Sequence, residues 1–345
     1  MSTNITPPSL PQSGASDDAV ELPVLHEKKR PHWQWVEPLT LLSPAGLWLL
    51  LLLVLPTLVI FELSLVPNIK PGMVVNPSGI ENYCLAFGFA KCNLANFDPT
   101  NLWVMARSLY FAVGTMLICL LLGFPVAYWI AQMTAKRWRN LLLLGFPVAY
   151  WIAQMTAKRW RNLLLLGFIL PLWTSSLLRS YAWITILRPT GVINTILNTI
   201  GLPSVEILNT GPAVLVGMAY SYLPYMVLIL YASLEKLDKR LLEASADLGA
   251  NPIQTFWKVT VPQTLPGIAA GSLLVFISGL GDFVDPELLG GASSMTGARL
   301  IYNQFLGPTQ NWGFGSALSM VLIAAVSIAI ALLIKYGDRE ATAQR

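Results

Sequence analysis

Six stretches of this chain, at about residues 45–66, 109–133, 163–187, 213–234, 268–283 and 314–336, are apolar over lengths that a soluble fold does not require. Crossing a hydrocarbon layer of about 30 Å takes about 20 mostly apolar helical residues. Such a layer offers no water to backbone N–H and C=O groups, so each stretch must satisfy its own hydrogen bonds as a helix. The fifth stretch is the least clear-cut, because it is rich in glycine and runs into acidic residues. Only 12% of the residues are charged and 54% are apolar, and a soluble domain carries roughly twice that charge fraction. Too few charges remain to clothe a 345-residue chain in water. A soluble enzyme, a nucleic-acid module and a disordered chain are thereby excluded, and the expected fold is an all-α integral membrane protein with six transmembrane helices.

The placement of lysine and arginine orients these spans, because short basic loops are retained in the cytoplasm. With the N-terminal tail (1–40) inside, sixteen of the 22 basic residues fall on the cytoplasmic side. The other six, Lys70, Lys91, Arg107, Arg179, Arg188 and Arg299, are spread thinly over outer loops and helix ends. Both termini, including the tail at 341–345, are then cytoplasmic, with residues 41–340 forming the membrane domain. A net charge of +4 spread in short clusters fits topology signals better than a polyanion-binding face, so no nucleic-acid partner is expected.

Within the region 120–166, the 22 residues GFPVAYWIAQMTAKRWRNLLLL at 123–144 recur without change at 145–166. Repeats that build solenoids and transporters are diverged in sequence, so this is an in-frame tandem duplication, recent or introduced, rather than an architectural unit. Its added apolar stretch, 141–156, is short for a span and is flanked on both sides by basic tetrapeptides. Crossing there would leave nine of the 22 basic residues inside. One copy is therefore expected to lie in the cytoplasmic interface, amphipathic or re-entrant, with Pro147 breaking its helix.

Cys84 and Cys92 fall in the outer loop 67–105, and Cys119 in an apolar run. A Cys84–Cys92 disulfide would form if that loop faces an oxidising compartment; idle thiols are the alternative. Both histidines, His26 and His32, lie in the tail, and no zinc-type spacing occurs, so no metal site is expected. Farther along, Val192, Ile193, Ile196, Leu197 and Ile200 have the spacing of a short helix resting on the outer membrane face.

The loop 235–265 is the most informative polar segment. Asp238 suits an N-cap, Gly249 a left-handed helix end, and Asn251 with Pro252 the cap and first position of a second helix. The resulting helix, sharp turn and helix fits a segment lying in the lipid interface or one docking to a cytoplasmic protein. Its residues also resemble the coupling loop of permease subunits of binding-protein-dependent ABC importers, E-A-A, three residues, Gly, nine residues, Ile, one residue, Leu-Pro. Glu243, Ala244, Ser245, Gly249, Val259, Val261 and Pro262 stand in that register, with Ser for the second Ala and Val for Ile and Leu. The resemblance implies a type I permease fold whose cytoplasmic coupling helix docks on an ATPase subunit. It also implies as partners a second permease and a periplasmic binding protein, in a bacterial inner membrane.

No Gly-x-x-x-x-Gly-Lys-Ser/Thr string is present, so the phosphate-cradling loop, with its ATP and Mg, belongs to a partner and this chain is not itself an enzyme. A secondary transporter shares that absence and is distinguished by the coupling loop. A membrane-embedded enzyme would need a constellation such as paired His and Glu within the spans, and there is none.

Ionisable groups in a membrane segment are costly and point to function. Asp282, Asp285 and Glu287 follow the fifth span closely, where a helix C-terminus disfavours negative charge unless a cation offsets it. Arg179 or Arg299, or a transported cation, would do so. The stretches NLLLLGFILPLWTSSLLRSYAWITIL, GDFVDPELLGG and NQFLGPTQNWGFGSA resemble permeases of the spermidine/putrescine group, which implies a polyamine-like cargo; related permeases for other small solutes share much of this frame. Asp285 stands where that group more often has an uncharged residue. Trp173, Tyr181 and Trp183 either face such a cation through their rings or form an interfacial belt.

Overall fold

The computed structural model describes residues 36–70, 72–73, 79–89, 92–93, 97–132 and 162–343. His26 and His32, and the interfacial segment expected from the duplication at 141–156 with Pro147, lie outside the described residues. Among the described residues the secondary structure is helical apart from one isolated bridge between Phe89 and Phe97. In chain order the helices are α1 (Val36–Ser64), α2 (Glu81–Ala86), α3 (Thr100–Gln132), α4 (Asn162–Trp173), α5 (Ser176–Leu187), α6 (Val192–Thr199) and α7 (Gly211–Glu235). They continue with α8 (Lys239–Asp247), α9 (Pro252–Thr255), α10 (Val261–Leu280), α11 (Val284–Leu289), α12 (Gly297–Leu306) and α13 (Trp312–Ala343).

Among the described residues, five helical segments are long and apolar enough to cross a bilayer: Gly46–Ser64, Thr100–Ala131, Gly211–Glu235, Pro252–Leu280 and Trp312–Ala331. The expected third span is not straight. Asn162–Trp173 and Ser176–Thr199 meet at a bend of 98°, and the count reaches six only when this pair is one span. The break is chemically satisfied. Thr174 turns extended, its hydroxyl donates to Pro171 O at 2.7 Å, and Arg179 Nη1 donates to Pro171 O at 2.6 Å and to Thr174 O at 3.3 Å. Carbonyls released by the break thus find donors inside the protein, which is the condition for irregular backbone at membrane depth.

The chain divides into two units, Met1–Leu55 and Pro56–Arg345. In the first, side chains of α1 from Leu47 to Leu55 are all exposed, the pattern of a helix whose surroundings are lipid or another chain. In the second unit, α3, α7 and α10 enclose the main core, in which Phe124, Ile130, Met226, Leu230 and Val275 are buried. The close approach of α10 to α7 depends on small residues four apart, as in membrane helix pairs that pack backbone to backbone. A Cβ added at Gly267 would overlap the Ser233 side chain, and one at Gly271 would come within 2.9 Å of Met226 Sδ.

Ahead of α3, Cys84 and Cys92 form a disulfide. Asn82, buried on α2, donates to Ser64 O and Val66 O, both at 2.9 Å, capping the last carbonyls of α1. The short α6 forms as its spacing predicts. Val192, Ile196 and Ile200 are exposed, while buried Asn194 ties it to the following loop by exchanging hydrogen bonds with the Val205 backbone at 2.8 and 3.0 Å.

Gly267→Val should lower the melting temperature of the purified protein, with a cost of about 1–3 kcal/mol for overpacking. Thermal melting in detergent checks this, and an unchanged midpoint would contradict the close packing of α10 on α7.

Candidate functional site

Two groups of predicted residues lie towards opposite ends of one helical rod. The sequence places the second helix of the loop and the fifth span in separate elements, but α9 runs into α10 and Pro252–Leu280 forms one continuous 29-residue segment. The junction is a π turn at Phe256–Thr260, where the Val261 N–H reaches back to Phe256 O. Pro262 has no N–H for an ordinary helical bond, and a wider turn immediately before it absorbs the lost regularity. At 1.5 Å per residue the rod is about 43 Å long.

The first end is the helix, turn and helix of α8 and α9. Asp238 caps α8 by accepting from the Arg240 N–H at 3.0 Å. Gly249 has φ +80°, a conformation that L side chains adopt only with strain, in otherwise open space. Asn251 and Gln254 form a reciprocal capping box at the start of α9, with Pro252 in its first turn. Ser245 is buried, and its hydroxyl meets Thr255 Oγ1 at 2.9 Å, fixing α8 against α9. Glu243 and Ala244 are exposed, and Val259, Val261 and Pro262 are half-buried along the π turn and the start of α10. Leu248 is 89% exposed, Ile253 71% and Trp257 65%. Three apolar side chains are thus left open around a preformed turn.

At the other end of the rod the three acids differ from one another. Asp282 directly follows the carboxyl end of α10, near where the sequence reading puts all three, while Asp285 and Glu287 lie beyond it on a further helix. The chain turns at Gly281 and continues as α11, so Asp282 accepts from the Val284 and Asp285 N–H groups at 2.9 and 3.4 Å at a new helix start. Asp285 and Glu287 fall in its first turn, a placement that the helix dipole favours. Glu287 pairs with Arg299, whose Nη1 also donates to Pro286 O at 3.3 Å and to Gly291 O at 2.6 Å. Asp285 is buried, at 3% exposure, and accepts from Ser180 Oγ on α5 at 2.5 Å and from Ser221 Oγ on α7 at 3.3 Å. Asp282 is half-buried, and Tyr222 OH reaches its Oδ2 at 3.2 Å.

Of the aromatic residues singled out in the sequence, Trp173 and Tyr181 are exposed, and Trp183 packs edge-on against Tyr220 with centroids 5.5 Å apart. Sequence reasoning missed Ser180, Ser221 and Tyr222, the side chains that receive the acids. Polar residues inside apolar helices, as in AYSYLPY, are the signal that would have found them. It also missed the stacked pair Phe283 and Tyr302, with centroids 4.8 Å apart.

A family profile described as binding-protein-dependent transport system inner membrane component matches residues 145–338, beginning at the first residue of the second repeat copy. The chain is 37% identical over 285 residues to the spermidine/putrescine transport system permease protein PotB of Haemophilus influenzae, covering 82% of this chain and 88% of that one. The protein of the same name from Escherichia coli is 34% identical over 283 residues, 81% of this chain and 90% of the relative. In fold the chain is similar to one in the crystal structure of a bacterial alginate ABC transporter in complex with an alginate pentasaccharide-bound periplasmic protein. That likeness has a TM-score of 0.66 at 16% identity and covers 88% of this chain and 96% of the other.

Arg299→Ala leaves Glu287 and two carbonyls without their donor and should destabilise the protein by about 1–3 kcal/mol. A thermal melt of the variant measures this; wild-type stability would remove the pair from the structural framework.

Proposed function

The chain belongs to the binding-protein-dependent transport system inner membrane components, and on that premise we propose that it is the permease subunit of an ABC importer for a polyamine-like cation such as putrescine or spermidine. Membership makes it a multi-pass inner-membrane transport component rather than an enzyme. In the proposed assembly it pairs with a second permease. Two ATPase subunits hold the ATP and Mg, and a periplasmic binding protein delivers the cargo. Both termini and the α8–α9 turn face the cytoplasm, an orientation supported by the basic residues Lys236, Arg240 and Lys258 around that turn. The disulfide in the loop ahead of α3 suits the oxidising side.

The observation that carries the reading is the rod. The exposed turn bearing Glu243, Ala244, Ser245 and Gly249 sits at its start, and Asp282 follows its last residue, Leu280, by two positions. Six spans result when the bent α4–α5 pair counts as one. When the ATPases close on ATP, the docked turn is pulled and the rod carries that displacement to the acidic end as one body. Asp282 is the group that meets the cargo. It is half-buried, and its Oδ2 keeps acceptor capacity beyond the Tyr222 hydroxyl. A carboxylate there supplies the charge-assisted hydrogen bond that a primary ammonium needs as it leaves water.

The test is purification of the chain with its partners and assay of ATPase activity with and without putrescine. Stimulation by putrescine supports the reading; stimulation by an unrelated solute alone, or the absence of any accompanying ATPase, would reject the cargo or the class respectively. In the same complex Glu243→Ala and Gly249→Val should uncouple ATP hydrolysis from uptake, and wild-type uptake in both would reject the coupling assignment. Asp282→Asn should raise the KM for putrescine by about tenfold or more, the scale of one charged hydrogen bond. An unchanged KM would remove Asp282 from the path.

A further inference from the structure

Asp285 sits three residues from the proposed cargo-facing Asp282, yet its surroundings differ in kind. Each of its carboxylate oxygens is occupied by a hydroxyl from a different helix: Ser180 of α5 on Oδ1 at 2.5 Å, and Ser221 of α7 on Oδ2 at 3.3 Å. With 3% exposure it has no open face towards solvent. The backbone of α7 is shaped to admit it. One turn before Ser221, a Cβ at Gly217 would overlap Leu289 Cδ1 of α11 and come within 3.5 Å of Asp285 Oδ1. A Cβ at Gly290, just past α11, would likewise lie 2.7 Å from Val214 Cγ2 of α7. The short α11 that follows the rod is therefore seated against α7, and Asp285 fastens it both there and to α5, next to the Tyr222 contact with Ser278 O and Asp282.

We propose that Asp285 is a positioning residue, a latch that joins α11 to α5 and α7 so that movement of the rod is passed to those two helices. It does not contact the cargo. This inference rests on reading the chain as an ABC permease. The latch is made of hydrogen bonds, so the property it requires is two polar atoms in the right places rather than a negative charge. Asparagine supplies them, with Oδ1 accepting from one serine and Nδ2 donating to the other; alanine does not.

The experiment uses the assembled transporter in proteoliposomes, with putrescine as the probe. Asp285→Ala and the double variant Ser180→Ala/Ser221→Ala should each lower the maximal uptake rate about tenfold and leave KM within about twofold, as expected when motion rather than cargo binding is impaired. Asp285→Asn should recover the rate to within about threefold of wild type, which also shows that the site tolerates substitution without misfolding. The triple variant should lose no more than Asp285→Ala alone, because the three groups act as one unit. A KM raised as much in Asp285→Asn as in Asp285→Ala, with the serine variants silent, would overturn the latch and make Asp285 a cargo contact. Thermal melting of the same complexes keeps the two readings separable. If the wild-type complex does not take up putrescine, the cargo assignment falls and melting decides the latch: non-additive losses among the three substitutions support it, and additive losses overturn it.

Discussion

The contact on which this structure depends is the seating of α10 against α7 through side chains small enough to bring the helices together. Gly267 and Gly271 leave no space for a Cβ against Ser233 and Met226, and Val275 continues the same face fully buried. In lipid there is little hydrophobic gain from pairing two apolar helices, so close packing has to supply the attraction. Held this way, the segment Pro252–Leu280 acts as a member of the bundle rather than as a tether. Consequences follow at both of its ends. The α8–α9 turn is joined to its start, and α11, just past its end, meets both α5 and α7.

Much of this was legible because the governing rules are local. Lipid forces helices wherever about 20 apolar residues occur together, and a cap at Asp238, a left-handed residue at Gly249 and an N-cap at Asn251 depend only on their neighbours in sequence. The features that escaped depend on contacts distant in sequence. The bend between α4 and α5 is stabilised by Arg179 reaching carbonyls eight and five residues back, so an apolar run that reads as one span does not stay straight. The π turn that fuses α9 to α10 answers to a missing N–H at Pro262, whose usual effect is to end a helix rather than widen it.

The acidic segment GDFVDPELLGG shows the limit most clearly. On sequence it is one patch of negative charge at the end of a span. In the structure the chain turns at Gly281, Asp285 and Glu287 take favourable places in the first turn of α11, and the three carboxylates acquire separate partners. Which acid meets which partner was set by Ser180, Ser221, Tyr222 and Arg299, at sequence distances of up to 105 residues. The division of labour follows from those partners: Glu287 is neutralised within the fold, Asp285 is enclosed, and Asp282 retains a reachable oxygen.

The central claim is that Pro252–Leu280 moves as a single body between the ATPase-facing turn and the acidic end. Spin labels at Gln254 and Gly281 in the assembled transporter, measured by double electron–electron resonance with and without trapped ATP, test it directly. The account predicts a separation near 40 Å, the length of about 27 helical residues, that stays unchanged between the two states while distances from either label to α3 shift. A change in the Gln254–Gly281 separation itself would show that the rod breaks at its π turn and would contradict the account.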